Sequence, residues 1–154
     1  MHFKQIDRGE LIAVVGGIIL AISLFLAWYS LGDHYAQLGR CRGPNTTCTA
    51  WHGLGLVVRI VLLIAAAAPL ILAYIILRGH ALSWPRGELT AVTALGVLTM
   101  TVFLGLIDKP GSPPGQISLD YGWFVALAGG LLILLGSVAR AREGSARRKP
   151  PGVL

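Results

Sequence analysis

The chain is predicted to be an all-α, four-helix transmembrane bundle with both termini in the cytoplasm and a disulfide-bearing first outer loop. Three observations predict it. Of its 154 residues 55% are hydrophobic and only 13% charged, the composition of a membrane protein. The apolar residues come in four long blocks instead of alternating faces. Basic residues concentrate in alternate connectors, which sets an orientation.

The first ten residues are short and mixed in charge, with Lys4, Asp7, Arg8 and Glu10. Leu11 to Leu31 then runs uncharged, about twenty residues that at ~1.5 Å each cross roughly 30 Å of hydrocarbon. Trp28 and Tyr29 stand where a cleavable signal would place small residues, so this span is expected to be retained. Leu54 to Leu77 is the second span. Pro69 is expected to disturb its helix, and Ala65 to Ala68 to let a neighbour approach closely. Leu89 to Ile107 is the third, with Thr90, Thr93, Thr99 and Thr101, whose hydroxyls can bond back to their own helix. Asp108 to Asp120 holds Pro110, Gly111, Pro113, Pro114 and Gly115 and is not helical. Tyr121 to Ala139 is the fourth span. The membrane domain is thus 1–139, and 140–154 is a basic cytoplasmic tail expected to be disordered.

Outside the spans, Lys4, Arg8, Arg78, Arg86 and the tail cations Arg140, Arg142, Arg147, Arg148 and Lys149 fall on one side, against Arg40, Arg42 and Lys109 on the other. Both termini are therefore assigned to the cytoplasm. Trp28, Tyr29, Trp51, Tyr121 and Trp123 then gather at the outer interface and Trp84 at the inner one, as an aromatic belt. Ala13, Gly17 and Ala21 in the first span, and Gly122, Ala126 and Gly130 in the fourth, recur at helical spacing. They predict that these two spans pack tightly.

The net charge of +6 does not require nucleic acid. The tail cations directly follow a span, where anionic lipid headgroups at the cytoplasmic face are the natural partner at about 1 kcal/mol per charge. Cys41 and Cys48 flank a Gly-Pro-Asn turn in the outer loop, and outside a cell membrane they are expected to form a disulfide. His34 and His52 could complete a tetrahedral metal site with them, but the spacing matches no compact zinc motif and no metal is assigned. Arg59 lies inside the second span. It either snorkels to the outer headgroups or faces the bundle and builds a polar pocket with Asp33, Asp108 or Asp120. No catalytic triad, phosphate-binding loop or cofactor motif is present, so no cofactor and no enzymatic activity are expected.

Phe25-Leu26-Ala27-Trp28-Tyr29 closing the first span and the segment from Leu119 to Gly130 opening the fourth resemble segments of small four-span membrane proteins of actinobacteria. That resemblance implies a multi-pass protein of the bacterial cell (inner) membrane. In outline the topology is also similar to quinone-linked disulfide-forming enzymes and vitamin K epoxide reductases. Those use a Cys-x-x-Cys pair, whereas six residues separate these cysteines. Claudins share four spans and a cysteine-bearing first loop, but there a Trp-rich motif precedes the cysteines, while Trp51 here follows them. The function expected is structural: a protein that stabilises or partners another membrane component, or a second copy of itself, through its outer loop. Lipid or small-molecule binding around Arg59 is the alternative, and thiol-disulfide exchange a more distant one.

Overall fold

A computed structural model describes residues 8–78, 88–113 and 115–146. It is mostly helical. The elements are α1 (Arg8–Ser23), β1 (Ala27–Leu31), β2 (Gln37–Leu38), β3 (Cys41–Arg42), β4 (Thr46–Thr49), α2 (Ala50–Gly53), α3 (Leu56–Leu77), α4 (Glu88–Val102), a π-helical turn (Phe103–Ile107), β5 (Ile117–Leu119) and α5 (Tyr121–Ala146). Three stretches are long and apolar enough to cross a membrane: Leu56–Leu77, Glu88–Ile107 and Tyr121–Arg142. They coincide with the second, third and fourth expected spans to within a few residues.

The first expected span departs from prediction. Its helix stops at Ser23, and Ala27–Leu31 leaves it as a strand, so the structure is not purely helical. The physical reason lies in how the helix end is satisfied. The amides of Leu24, Phe25 and Leu26 tighten onto the carbonyls of Ala21, Ile22 and Ser23, three residues back. The indole of Trp28 then donates to Ser23 O at 2.8 Å, and the amide of Trp51 to Leu24 O at 3.0 Å. Carbonyls that a continued helix would have bonded are thus taken by partners from later in the chain. The released backbone, rich in aromatic residues that suit a pleated surface, becomes the central strand of a three-stranded antiparallel sheet in the order β4-β1-β5. A register shift between Ala27 and Tyr29 places Trp28 at a bulge, where its side chain is fully buried.

The two outermost helices in sequence, α1 and α5, make the most extensive interface, as predicted, but with a different set of small residues. A Cβ at Gly16 would lie 2.7 Å from Gly129 O, and one at Gly9 would lie 2.7 Å from Gly136 O. Ala13 packs on Gly136. Gly17 instead turns to α3, against Ala66 and Pro69, while Gly122 faces Ala27 and Gly130 faces Leu98 of α4. Gly9, Ala13 and Gly16 thus serve the α1–α5 contact and the others different neighbours, and backbones meet because no side chain intervenes. Pro69 is buried within α3. Its ring fills the space that Gly17 leaves.

The expected outer belt is in fact mostly interior. Trp28 and Tyr29 are fully buried and Trp123 nearly so, while Tyr121 is exposed. The Trp123 indole donates to Thr101 O at 2.8 Å, and its ring lies directly over Gly105 in the π-helical turn. Thr93 and Thr99 bond back to their own helix, whereas Thr90 accepts a 2.9 Å bond from Ser137 across the α4–α5 interface. The expected disorder from residue 140 is also corrected: α5 continues to Ala146, through alanine and arginine positions that favour helix. Trp84 and Arg86, with the rest of residues 79–87, lie outside the described residues.

Candidate functional site

One end of the bundle carries a cap assembled from two connectors far apart in sequence. β1, the β2–β3 hairpin and β4 come from the connector after α1, and β5 from the one before α5. The hairpin turns on Gly39, whose φ of +55° suits glycine and whose missing side chain admits the carbonyl of His52. The next turn places Asn45 at φ 53°, a left-handed conformation asparagine tolerates. These turns bring Cys41 and Cys48 to a Cα–Cα distance of 5.8 Å, and the two are joined as a disulfide, as expected. Cys48 is fully buried beneath the hairpin.

The cap is tied into the bundle at several points. The amide of Asp120 donates to Trp28 O at 2.8 Å, and that of Gly32 to Gln116 O at 3.0 Å, so the two connectors close on each other. The Tyr29 hydroxyl donates to Leu104 O at 3.2 Å. Against this fixed frame the outward-facing groups are Tyr35, which is 80% exposed, with His34, Arg40 and Arg42 beside it in sequence.

The expected polar pocket around Arg59 is not assembled. Its Nε donates to Leu54 O at 2.9 Å, and its guanidinium carbon lies 5.7 Å from the centre of the Trp51 ring. Trp51 in turn stacks on Phe25, centroids 5.5 Å apart. The carboxylates are engaged elsewhere: Asp33 accepts from the amide of His34 and Asp120 from that of Tyr121, at 2.5 and 2.7 Å. Among the described residues none of Asp33, Asp108 and Asp120 pairs with Arg59. The reason is local. Asp33 and Asp120 each find a backbone donor one residue away, while Arg59 finds a carbonyl and an aromatic face on its own side of the bundle.

His34 and His52 are not brought to the cysteines as ligands. The imidazole of His52 lies 2.9 Å from the hydroxyl of Thr49, which caps the short helix α2, and both sulfurs are consumed in the disulfide. Among the described residues no three side chains of metal-ligating type cluster.

At the opposite end, Arg140 is not a free headgroup ligand. It reaches Glu10 on α1, with Nη2 2.8 Å from Oε1, and both side chains are largely buried. Sequence reading missed this pair. The available signal was an acid directly before one apolar block and a cation directly after another. Arg142 is exposed on the same helix, and Arg147, Arg148 and Lys149 lie outside the described residues. Comparison of the chain with family models, with curated proteins and with solved structures finds no match in any of the three.

Proposed function

We propose that this chain is a four-pass integral membrane protein of structural or interaction type, resident in a bacterial inner membrane with both termini cytoplasmic. On this reading the disulfide-braced cap engages a neighbouring membrane protein or a second copy. The fourth crossing is supported by depth matching. Gly9 abuts Gly136, Gly16 abuts Gly129, and Ala27 abuts Gly122. α1 with the extended residues after it therefore runs beside most of the apolar length of α5, roughly 20 Å at the helical rise. Its outward side is apolar, with Leu11, Val15, Ile18 and Ile22 exposed, as a lipid-facing surface requires. The cation distribution across the connectors supports the orientation. Arg142 and the tail cations beyond it would then meet anionic headgroups at the inner face.

The observation that carries the interaction role is the contrast within the cap. The turn between β1 and β2, on a cap held by pairings between distant segments and by a covalent bridge, leaves Tyr35 80% exposed. An exposed aromatic on a rigid frame is what a contact surface uses, because little entropy is lost on binding. Affinity purification in mild detergent tests it. A stoichiometric partner, or a dimer, that is lost in Tyr35→Ala and Arg42→Ala but retained in Arg142→Ala supports the proposal. A monomer with no co-purifying protein, unchanged by these substitutions, overturns it.

A further inference from the structure

The cluster Phe25–Trp51–Arg59 has a geometry that neither the cap nor the bundle core uses. Phe25 is 61% exposed on the apolar flank. Trp51 lies against it, and the Arg59 guanidinium covers the Trp51 ring. With Nε committed to Leu54 O, the terminal amino groups of Arg59 keep the forked edge that matches a phosphate. No acidic residue occupies α2 or the first turn of α3, and among the described residues no carboxylate pairs with this cation. Beside the cluster, the space a Cβ at Gly55 would enter is open to at least 4 Å.

We infer that Arg59, with the Phe25–Trp51 pair, forms a binding site for the phosphate of an anionic phospholipid in the outer leaflet. The inference rests on the membrane placement proposed above, which puts this cluster where an apolar flank meets the headgroup layer. The aromatic pair supplies a flat apolar bed for the glycerol and upper acyl region. The guanidinium, stacked on one of those rings and held by a carbonyl, is already oriented toward its ligand, so little is lost on binding. Charge selects the lipid class. A headgroup carrying its own cation would bring a second positive charge to a site with no carboxylate, and the Trp51 face that would welcome it is taken by Arg59. Phosphatidylglycerol-type headgroups meet no such penalty.

The test uses the full-length protein in nanodiscs of phosphatidylcholine doped with phosphatidylglycerol, followed by native mass spectrometry of the retained lipid. The unsubstituted protein is expected to enrich phosphatidylglycerol about tenfold, the order of ratio set by one cation–cation contact between choline and the guanidinium that phosphatidylglycerol avoids. Arg59→Gln is expected to abolish the enrichment, and Arg59→Lys, which keeps the charge without the fork, to retain part of it. Equal retention of both lipids by the unsubstituted protein, a result that needs no variant to fold, overturns the site. So does an undiminished preference in Arg59→Gln. Labelling of Lys109 in intact cells by an impermeant amine reagent separates the two proposals. If Lys109 is reached but the lipid preference is missing, the site fails and the membrane placement stands. If Lys109 is sheltered, the placement fails and takes this site with it.

Discussion

Arg140 on α5 reaches across to Glu10 on α1 at 2.8 Å, in an interface where the acid is only 3% exposed. The glutamate oxygen has no aligned hydrogen bond despite that distance, so charge attraction holds the pair more than a directed bond does. Its position one turn beyond the Gly9–Gly136 contact makes it a latch for the register in which α1 and α5 pack.

Breaking the latch from one side should cost more than removing both charges, because the orphaned partner stays buried. Glu10→Gln is expected to lower stability by about 3 to 5 kcal/mol. Glu10→Gln with Arg140→Gln should cost less than either single change. Thermal unfolding in detergent across the double-mutant cycle measures the coupling, and additive losses would show that the two charges act independently.

The glycines divide into those that a side chain would hit and those it would not. Gly16→Leu would force apart backbones that now meet near Gly129 and should destabilise by about 1 to 3 kcal/mol. A Cβ at Gly96, on α4, meets nothing within 4 Å. Gly96→Ala should therefore be neutral or stabilising by up to about 1 kcal/mol through helix propensity. Denaturation midpoints of the two variants, read side by side, are expected to move in opposite directions or to leave Gly96→Ala unmoved.

Reduction or replacement of the Cys41–Cys48 bridge should loosen the cap without dissolving the bundle. In the chain-entropy account a loop of sequence separation 7 is worth about 2 to 3 kcal/mol. Cys41→Ser with Cys48→Ser is expected to raise amide exchange in residues 27–49 while α1 and α5 stay protected. Uniform loss of protection throughout the chain would contradict this.

Gly105 lies so close beneath the Trp123 indole that Gly105→Ala must displace the ring from its 2.8 Å bond to Thr101 O. The expected result is destabilisation of about 1 to 3 kcal/mol with a red-shifted tryptophan emission. An unchanged spectrum with full stability would mean that the turn relaxes around the added methyl.

Much of the architecture is legible because its causes are local. Membrane-length helices at residues 56–77, 88–107 and 121–142 follow from length and apolarity. The disulfide follows from two cysteines bracketing a turn. Spacing assigns Arg140 and Arg142 to a tail because a basic stretch after a span usually meets solvent; here both lie on α5, where Glu10 draws Arg140 into the α1 interface while Arg142 stays exposed. Arg59 illustrates the reverse case. Its place near the start of the second apolar block was readable, but its partners, Leu54 O and the Trp51 ring, depend on side-chain direction that spacing does not encode.

The sequence by itself determined which stretches are apolar and long, which cysteines can meet, and that the ends of the chain and the middle connector carry the cations, because composition and spacing are properties of short windows. Only the tertiary structure decided that Ala27–Leu31 would leave the helix for a sheet, since its pairing partners are β4 and β5, the latter some ninety residues further along the chain. It also decided which glycine faces which helix, that Trp28 and Trp123 turn inward, and that Glu10 and Arg140 neutralise each other. Each of these depends on which surfaces come within a few ångströms of one another once the helices are packed, and close approach is a property of the assembled bundle, not of any window of the chain.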